Sequence, residues 1–346
     1  MRKLLFLSSI VALSMFVACS DDEPLDEVDE QLEMEDDMDG TATVEETFGI
    51  RHDLNLTDYE SIGANSAPYT GDNYPDFSSV VAFSYTIGED EFVASGTLIA
   101  DNWILTAGHN FFSSDEQTEP VSVSDIVVLT GSDPNNPTGE YQVASLVFSP
   151  TWLQDDRLFE SGNDLCLVEL SAPISGLTPA SLLESEIEEN GSEIWVAGYG
   201  DYSSQPGQDE ELLSKRHAVH NVLDRTLTGI VTSADGETFV GGLLAFDFDD
   251  PDSIVNSLGD DVQNLDESLL GDGTSEAGAL DFEGTTVEGD SGAPLFIQID
   301  GNWYVAGVLS GGATDPIANH DDSGYGDISI FIRVATSIDW INGVID

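Results

Sequence analysis

The chain has 346 residues, and its 8 basic side chains stand against 67 acidic ones, a formal net charge of −59. A charge of that sign repels phosphate backbones and other copies of itself, so nucleic acid is excluded as a partner and a monomer is expected. Two cysteines cannot staple a scaffold of this size, and stability has to come from an apolar core, which a body of about 300 residues is long enough to bury.

The first element is a targeting segment. Arg2 and Lys3, an apolar run from Leu4 to Val17 and the small residue Ala18 form a signal peptide over residues 1–18, too short to span a membrane as a helix. Phe16-Val17-Ala18-Cys19 resembles a bacterial lipoprotein signal, in which Cys19 becomes the lipidated first residue. An ordinary secretory signal cleaved nearby, with Cys19 incidental, is the alternative. Export to the outer membrane or cell surface is expected, with membrane contact only through lipid on Cys19. Residues 19–48 are dense in Asp and Glu, with no Lys or Arg between 20 and 47. They cannot bury enough surface to fold and read as an extended acidic tether.

Residues 49–346 read as one domain of many short strands. Ser95-Gly96-Thr97-Leu98-Ile99-Ala100 and Trp103-Ile104-Leu105-Thr106 are half-buried strands joined by Asp101-Asn102, so His109 follows directly on a strand end. Asp164 opens the run Leu165-Cys166-Leu167-Val168-Glu169-Leu170, and Cys166 suits a buried apolar role within it. Arg216-His217-Ala218-Val219 is another strand, flanked by Lys215 and Arg225. Metal ligation by His217 and His220 is conceivable, but no further ligand has a recognisable spacing. His52 and His320 read as surface residues without a partner.

Residues 241–282, rich in Gly, Asp and Ser, read as inserted loops. Their stretch Asp247-Phe248-Asp249-Asp250-Pro251-Asp252 could bind Ca²⁺, but it lacks the glycine turn and terminal glutamate of an EF-hand loop. It is expected to be a solvated acidic loop, and no cofactor is expected. Gly289-Asp290-Ser291-Gly292 is a tight turn leading into the apolar strand Ala293-Pro294-Leu295-Phe296-Ile297. Turn signals of Gly, Pro, Asn and Asp between strands, with helix confined mainly to the last dozen residues, indicate an all-β fold.

Three of these peptides carry chemistry. A serine hydroxyl is a poor nucleophile at neutral pH; an imidazole must take its proton, and a buried carboxylate must hold that imidazole in the right tautomer. Ser291, His109 and Asp164 supply those groups. The backbone N–H groups of Gly289 and Ser291 can converge on one point as an oxyanion hole. Taken singly, each peptide is common. The Gly-x-Ser-x-Gly elbow of the other large serine-hydrolase class fails here, because Ala293 stands two residues after Ser291.

Thr106-Ala107-Gly108-His109, Asn163-Asp164-Leu165 and Gly289-Asp290-Ser291-Gly292, in that order, resemble the trypsin/chymotrypsin-like serine endopeptidases. The likeness extends over most of residues 74–346. Gly198-Tyr199-Gly200 sits at the family's Gly-Trp-Gly, and residues 305–312 match the strand that pairs with substrate. Residues 331–341 match the closing strand and C-terminal helix. The resemblance implies two six-stranded antiparallel β-barrels with the site between them, His109 as general base, Asp164 as its orienter and Ser291 as nucleophile. Ser310 would pack near Asp164. Ala94, Asn110 and Val287 stand where animal relatives have cysteines.

By the same resemblance Thr285 forms the floor of the substrate pocket, with Thr286, Ser310, Gly312 and Ser329 around it. Asp would be needed at position 285 to pair with Arg or Lys, so an uncharged pocket for protein or peptide substrates is implied, and cleavage after basic residues is disfavoured. Asp290 would accept a newly freed amino terminus in the activation pocket. No Ile-Val-Gly-Gly occurs; Ile50 is a candidate new terminus, whose release would also free the protein from its anchor, and Arg51 or another internal cation is the alternative partner of Asp290. A catalytically silent surface binding or adhesion module on the same scaffold is the competing function.

Overall fold

A computed structural model describes residues 47–346 apart from 88–89, 113–118, 156, 204–213, 233–235, 260–269, 272, 314–322 and 346. The stretch expected to be a signal peptide, Cys19, most of the expected acidic tether and His320 lie outside the described residues.

Six strands close the first barrel. They are β1 Val80–Ile87, β2 Asp90–Ala100, β3 Trp103–Thr106, β4 Ile126–Thr130, β5 Gly139–Phe148 and β6 Cys166–Leu170, ordered β1-β2-β3-β6-β5-β4 and antiparallel throughout. Branched and aromatic residues fill the interior, where Val81, Phe83, Leu98, Ile104, Ile126, Val128 and Val168 are fully buried. Each such side chain contributes about 1.5–3 kcal/mol through burial. Cys166 is buried among them as a free thiol.

The second body is a seven-stranded antiparallel sheet. Its strands are β7 Glu193–Gly198, β8 His217–Val222, β9 Arg225–Thr232, β10 Thr238–Asp247, β11 Pro294–Ile299, β12 Asn302–Ala313 and β13 Ile328–Arg333, in the order β8-β7-β11-β12-β13-β10-β9. The all-β expectation holds. The expected second six-stranded barrel is instead a sheet curled toward closure. Asp224, just past β8, donates its N–H to the Ala245 carbonyl of β10 at 3.0 Å, and the Asn221 side chain donates to the Asp247 carbonyl at 2.9 Å. β9 is an additional strand hairpinned onto β10.

Residues 241–247, expected as the start of inserted loops, extend β10 instead. Leu243, Leu244, Ala245 and Phe246 are fully buried, as a short continuous apolar run reads in a strand covered on both faces. The flanking Gly241 is demanded by close approach, since a Cβ there would lie 2.2 Å from the Gly162 carbonyl oxygen. This lays β10 against the turn just before Asp164.

The stretch after β10 also departs from expectation, because Asp247, Asp249 and Asp250 are buried rather than solvated. The carboxylates of Asp247 and Asp250 serve the backbone. Asp250 accepts from the N–H groups of Asp252, Ile254 and Val255 at 2.9, 2.6 and 2.6 Å, and Asp247 accepts from Leu258 at 2.7 Å. Such Asx-type bonds satisfy a turn that would otherwise carry buried, unpaired donors.

The helices are short: α1 Leu56–Gly63, α2 Pro150–Gln154 and α3 Ile338–Ile345. α1 buries Tyr59 and Ile62 and ends on Gly63, where a Cβ would meet the backbone of Arg216 and His217 at 2.6–2.8 Å. His52 is not partnerless, since its Nδ1 lies 3.0 Å from the Tyr325 hydroxyl.

Candidate active site

β3 delivers the imidazole. The chain leaves the strand at Thr106, passes buried Ala107 and Gly108, and enters a short 3₁₀ turn beginning at His109. Gly108 is required by packing, because a Cβ there would lie 2.7 Å from the Trp152 ring and 3.0 Å from Asp164 Oδ1. Asp164 lies two residues before β6, the strand paired with β3, so the two side chains leave neighbouring strand ends.

The contacts that follow form a continuous relay. The His109 backbone N–H donates to Asp164 Oδ1 at 2.9 Å, and Nδ1 of the same residue lies 2.6 Å from Asp164 Oδ2. His109 Nε2 stands 2.9 Å from Ser291 Oγ. With Nδ1–H directed at the carboxylate, Nε2 keeps a lone pair for the serine proton. Ser310 donates its hydroxyl to Asp164 Oδ2 at 2.6 Å. It can do so because the β12–β13 register shifts between Leu309 and Gly311, leaving Ser310 as the unpaired residue of a bulge.

The electrostatics suit that chemistry. Burial alone would raise the Asp164 pKa, but His109, the Ser310 hydroxyl and the backbone N–H outweigh it and hold the carboxyl below its usual range. Burial pulls His109 down, whereas the Asp164 charge and hydrogen bond prevail and hold it above its ordinary value. The carboxylate therefore stays ionised and stabilises the imidazolium that forms when a proton is taken.

Ser291 sits in a turn with two left-handed glycines, Gly289 at φ +93° and Gly292 at φ +85°. A Cβ at Gly292 would fall 2.0 Å from Thr106 Oγ1, so glycine is needed for space as well as conformation. Among the described residues, neither the Gly289 nor the Ser291 N–H has a protein acceptor. Both remain available to an oxyanion. Asp290 points inward, taking the Gly200 N–H on Oδ1 at 2.9 Å and the Val287 N–H on Oδ2 at 3.1 Å.

Thr285, Thr286 and Ser329 meet in one hydroxyl cluster. Ser329 Oγ lies 2.9 Å from both threonine hydroxyls and 3.3 Å from the Thr286 N–H. Gly312 pairs with Ser329 across β12 and β13. The Ser310 hydroxyl is taken up by Asp164. Among the described residues no group of three His, Cys, Asp or Glu is placed to hold a metal. His217 and His220 lie three apart on β8 and so face opposite sides: His217 meets Asp290 at 3.3 Å and His220 meets Glu193 at 3.4 Å.

Several residues brace the site in a role that no sequence motif marks. Ser95 donates its hydroxyl to the Gly289 carbonyl at 3.0 Å and receives the Tyr199 N–H at 3.0 Å. The Asn110 amide donates to Thr106 Oγ1 and to the Ser291 carbonyl at 3.0 and 3.1 Å. The only sequence signal for Asn110 was its place at a position where relatives have a cysteine. His217 and Ser95 carry no local motif.

A closed antiparallel barrel, a second antiparallel sheet and a hydrogen-bonded Asp–His–Ser relay define the class of chymotrypsin-like serine proteases. The trypsin family model matches residues 69–234, which supports a trypsin/chymotrypsin-like serine protease family. The matched segment contains His109 and Asp164 and ends before Ser291, which the fold brings to them.

Proposed function

We propose that this chain is an exported serine endopeptidase that hydrolyses peptide bonds through an acyl-enzyme. The observation that carries the reading is the unbroken relay from Asp164 through His109 to Ser291, at 2.6 and 2.9 Å, beside two N–H donors with no protein acceptor among the described residues. Ser291 Oγ attacks the scissile carbonyl while its proton passes to His109 Nε2. The carbonyl oxygen, now anionic, takes hydrogen bonds from Gly289 and Ser291, and His109 returns the proton to the leaving amine. Water, deprotonated by the same imidazole, then releases the acid product and restores Ser291.

The Thr285–Thr286–Ser329 cluster supports a pocket for uncharged side chains. A lysine or arginine head facing only these hydroxyls would be a desolvated, unpaired charge. Cleavage profiling with a peptide library tests both parts of the reading. Scission after uncharged residues, absent in Ser291→Ala, is expected. Preferred scission after Arg or Lys would overturn the pocket assignment, and no scission by the wild-type protein would favour a binding module.

Residues 1–19 support export with a lipid on Cys19. Metabolic labelling with a fatty acid that fails in Cys19→Ala would bear this out, whereas equal labelling of both proteins would count against it.

A further inference from the structure

The turn that carries Ser291 is built around a buried carboxylate. Asp290 is 1% exposed, and a charge at that depth needs a partner as well as hydrogen-bond donors. The Gly200 and Val287 N–H groups provide the donors. The partner that the fold supplies is His217, whose Nε2 lies 3.3 Å from Asp290 Oδ2, with its side chain 2% exposed.

Packing holds His217 in place. It opens β8, its backbone is pressed by Gly63 of α1, and its ring lies against the Tyr202 ring with centroids 3.7 Å apart. Arg51, the other internal cation considered for Asp290, is committed elsewhere. It forms a two-pronged pair with Asp53 at 2.9 and 2.7 Å and donates to the Leu280 carbonyl at 2.8 Å.

The segment that would yield a new amino terminus is woven into the body. The Phe48 N–H donates to the Ser203 carbonyl at 2.9 Å, the Gly49 N–H to the Ser323 carbonyl at 2.7 Å, and the Gly49 carbonyl accepts from Thr285 at 3.0 Å. Ile50 is fully buried and bridged to Gly284. Gly49 packs so closely on Val287 and Tyr202 that a Cβ there would lie 2.5 and 3.1 Å from them. This backbone therefore lines the wall of the pocket that holds His217 and Asp290.

Resting on the serine-protease reading above, we propose that His217 is the positioning residue for the oxyanion turn: paired with Asp290 in the uncut chain, it sets the Gly289–Ser291 donors without a freed amino terminus. Asp290 ties that turn to Val287 before it and to Gly200 just past β7, so its partner governs whether the two N–H groups aim outward. The protease is then competent without cleavage before Ile50, while still joined to its amino-terminal tether.

The test uses the full mature chain, with its amino terminus read by intact mass. His217→Leu is expected to lower kcat ten- to a hundredfold with KM changed less than about threefold, and to weaken a peptide boronate, a mimic of the oxyanion intermediate, in parallel. His217→Gln, which keeps an N–H donor, should recover part of the loss, a rescue that a packing role alone would not give. Active wild-type enzyme should retain residues before Ile50. If His217→Leu does not fold, the cycle of His217→Gln with Asp290→Asn takes its place, and the double variant should be no worse than the poorer single one. Unchanged kcat and boronate affinity in the variants, a gain of activity on losing His217, or activity found only in chains beginning at Ile50 would each overturn the proposal. A wild-type protein inert toward both peptides and fluorophosphonate would instead sink the protease reading on which it rests.

Discussion

The backbone N–H of Ser95 donates to the carbonyl of Ser291 at 2.9 Å, which fastens a strand of the first barrel to the turn that carries the nucleophile. The Ser95 hydroxyl adds a second tie, donating to the Gly289 carbonyl while receiving the Tyr199 N–H. Ser95→Ala removes the hydroxyl bonds and leaves the backbone one. Two buried polar partners lose their mate, at about 1–3 kcal/mol. We expect kcat to fall roughly tenfold, with KM little changed, because the oxyanion turn loses its support rather than its substrate contacts. Steady-state kinetics beside a thermal melt checks this; equal losses in both kinetic constants would point away from the turn.

Removing the reactive groups themselves should cost far more rate and little stability. Ser291→Ala and His109→Ala are each expected to lower kcat by roughly three or more orders of magnitude, and the double variant by no more than the worse single one. His109 is half-exposed and Ser291 lies in a turn, so melting temperatures should stay within a few degrees of wild type. Additive losses would mean that the two side chains do not act together.

Activity should fall on the acid side as His109 takes up a proton, because imidazolium cannot accept one from Ser291. Asp164 holds the His109 pKa above its ordinary 6.5, so the midpoint of the acid limb should lie above that value. Asp164→Asn removes the charge responsible. Its limb should move to lower pH while kcat drops by roughly four orders of magnitude, as loss of the orienting carboxylate does in such relays. A limb unmoved by that substitution would separate the titration from His109.

The acidic cluster behind β10 gives stability a slope of its own. Burial, followed by the charges of Asp247 and Glu283, pushes Asp249 up to about 10, and burial pushes Glu283 up to about 8. The folded state therefore holds protons that the unfolded chain has released from about pH 4 upward. Stability should be greatest in acid and decline as pH rises toward 8–10. Asp249→Asn removes one such proton and should flatten the decline by an amount on the order of 1–3 kcal/mol between pH 5 and 8. Denaturant melts of both proteins at the two pH values read this directly, and parallel slopes would refute it.

Much of the site was legible because its signals are local. His109 and Asp164 announce themselves by following and preceding strand runs, and the glycines at 289 and 292 mark a turn whose φ values only glycine adopts without strain. What stayed hidden is held together by long-range contact. Ser95 reads as an ordinary strand residue until Ser291 packs beside it. His217 looks like a histidine on a basic patch until the chain returns with Asp290. Leu243 to Phe246 were masked by the glycines before them and the aspartates after them, though the glycines serve close packing and the aspartates cap buried turns. Asp250 shows why composition misled. A residue type usually found in water is here an acceptor for three backbone N–H groups.

The most direct test of the account is covalent labelling with a fluorophosphonate, read by intact mass and peptide mapping. A single adduct on Ser291, formed by wild type, lost in Ser291→Ala and slowed at least a hundredfold in His109→Ala, is the predicted result. No adduct on Ser291, or labelling there at an equal rate without His109, would contradict a nucleophile activated by that imidazole.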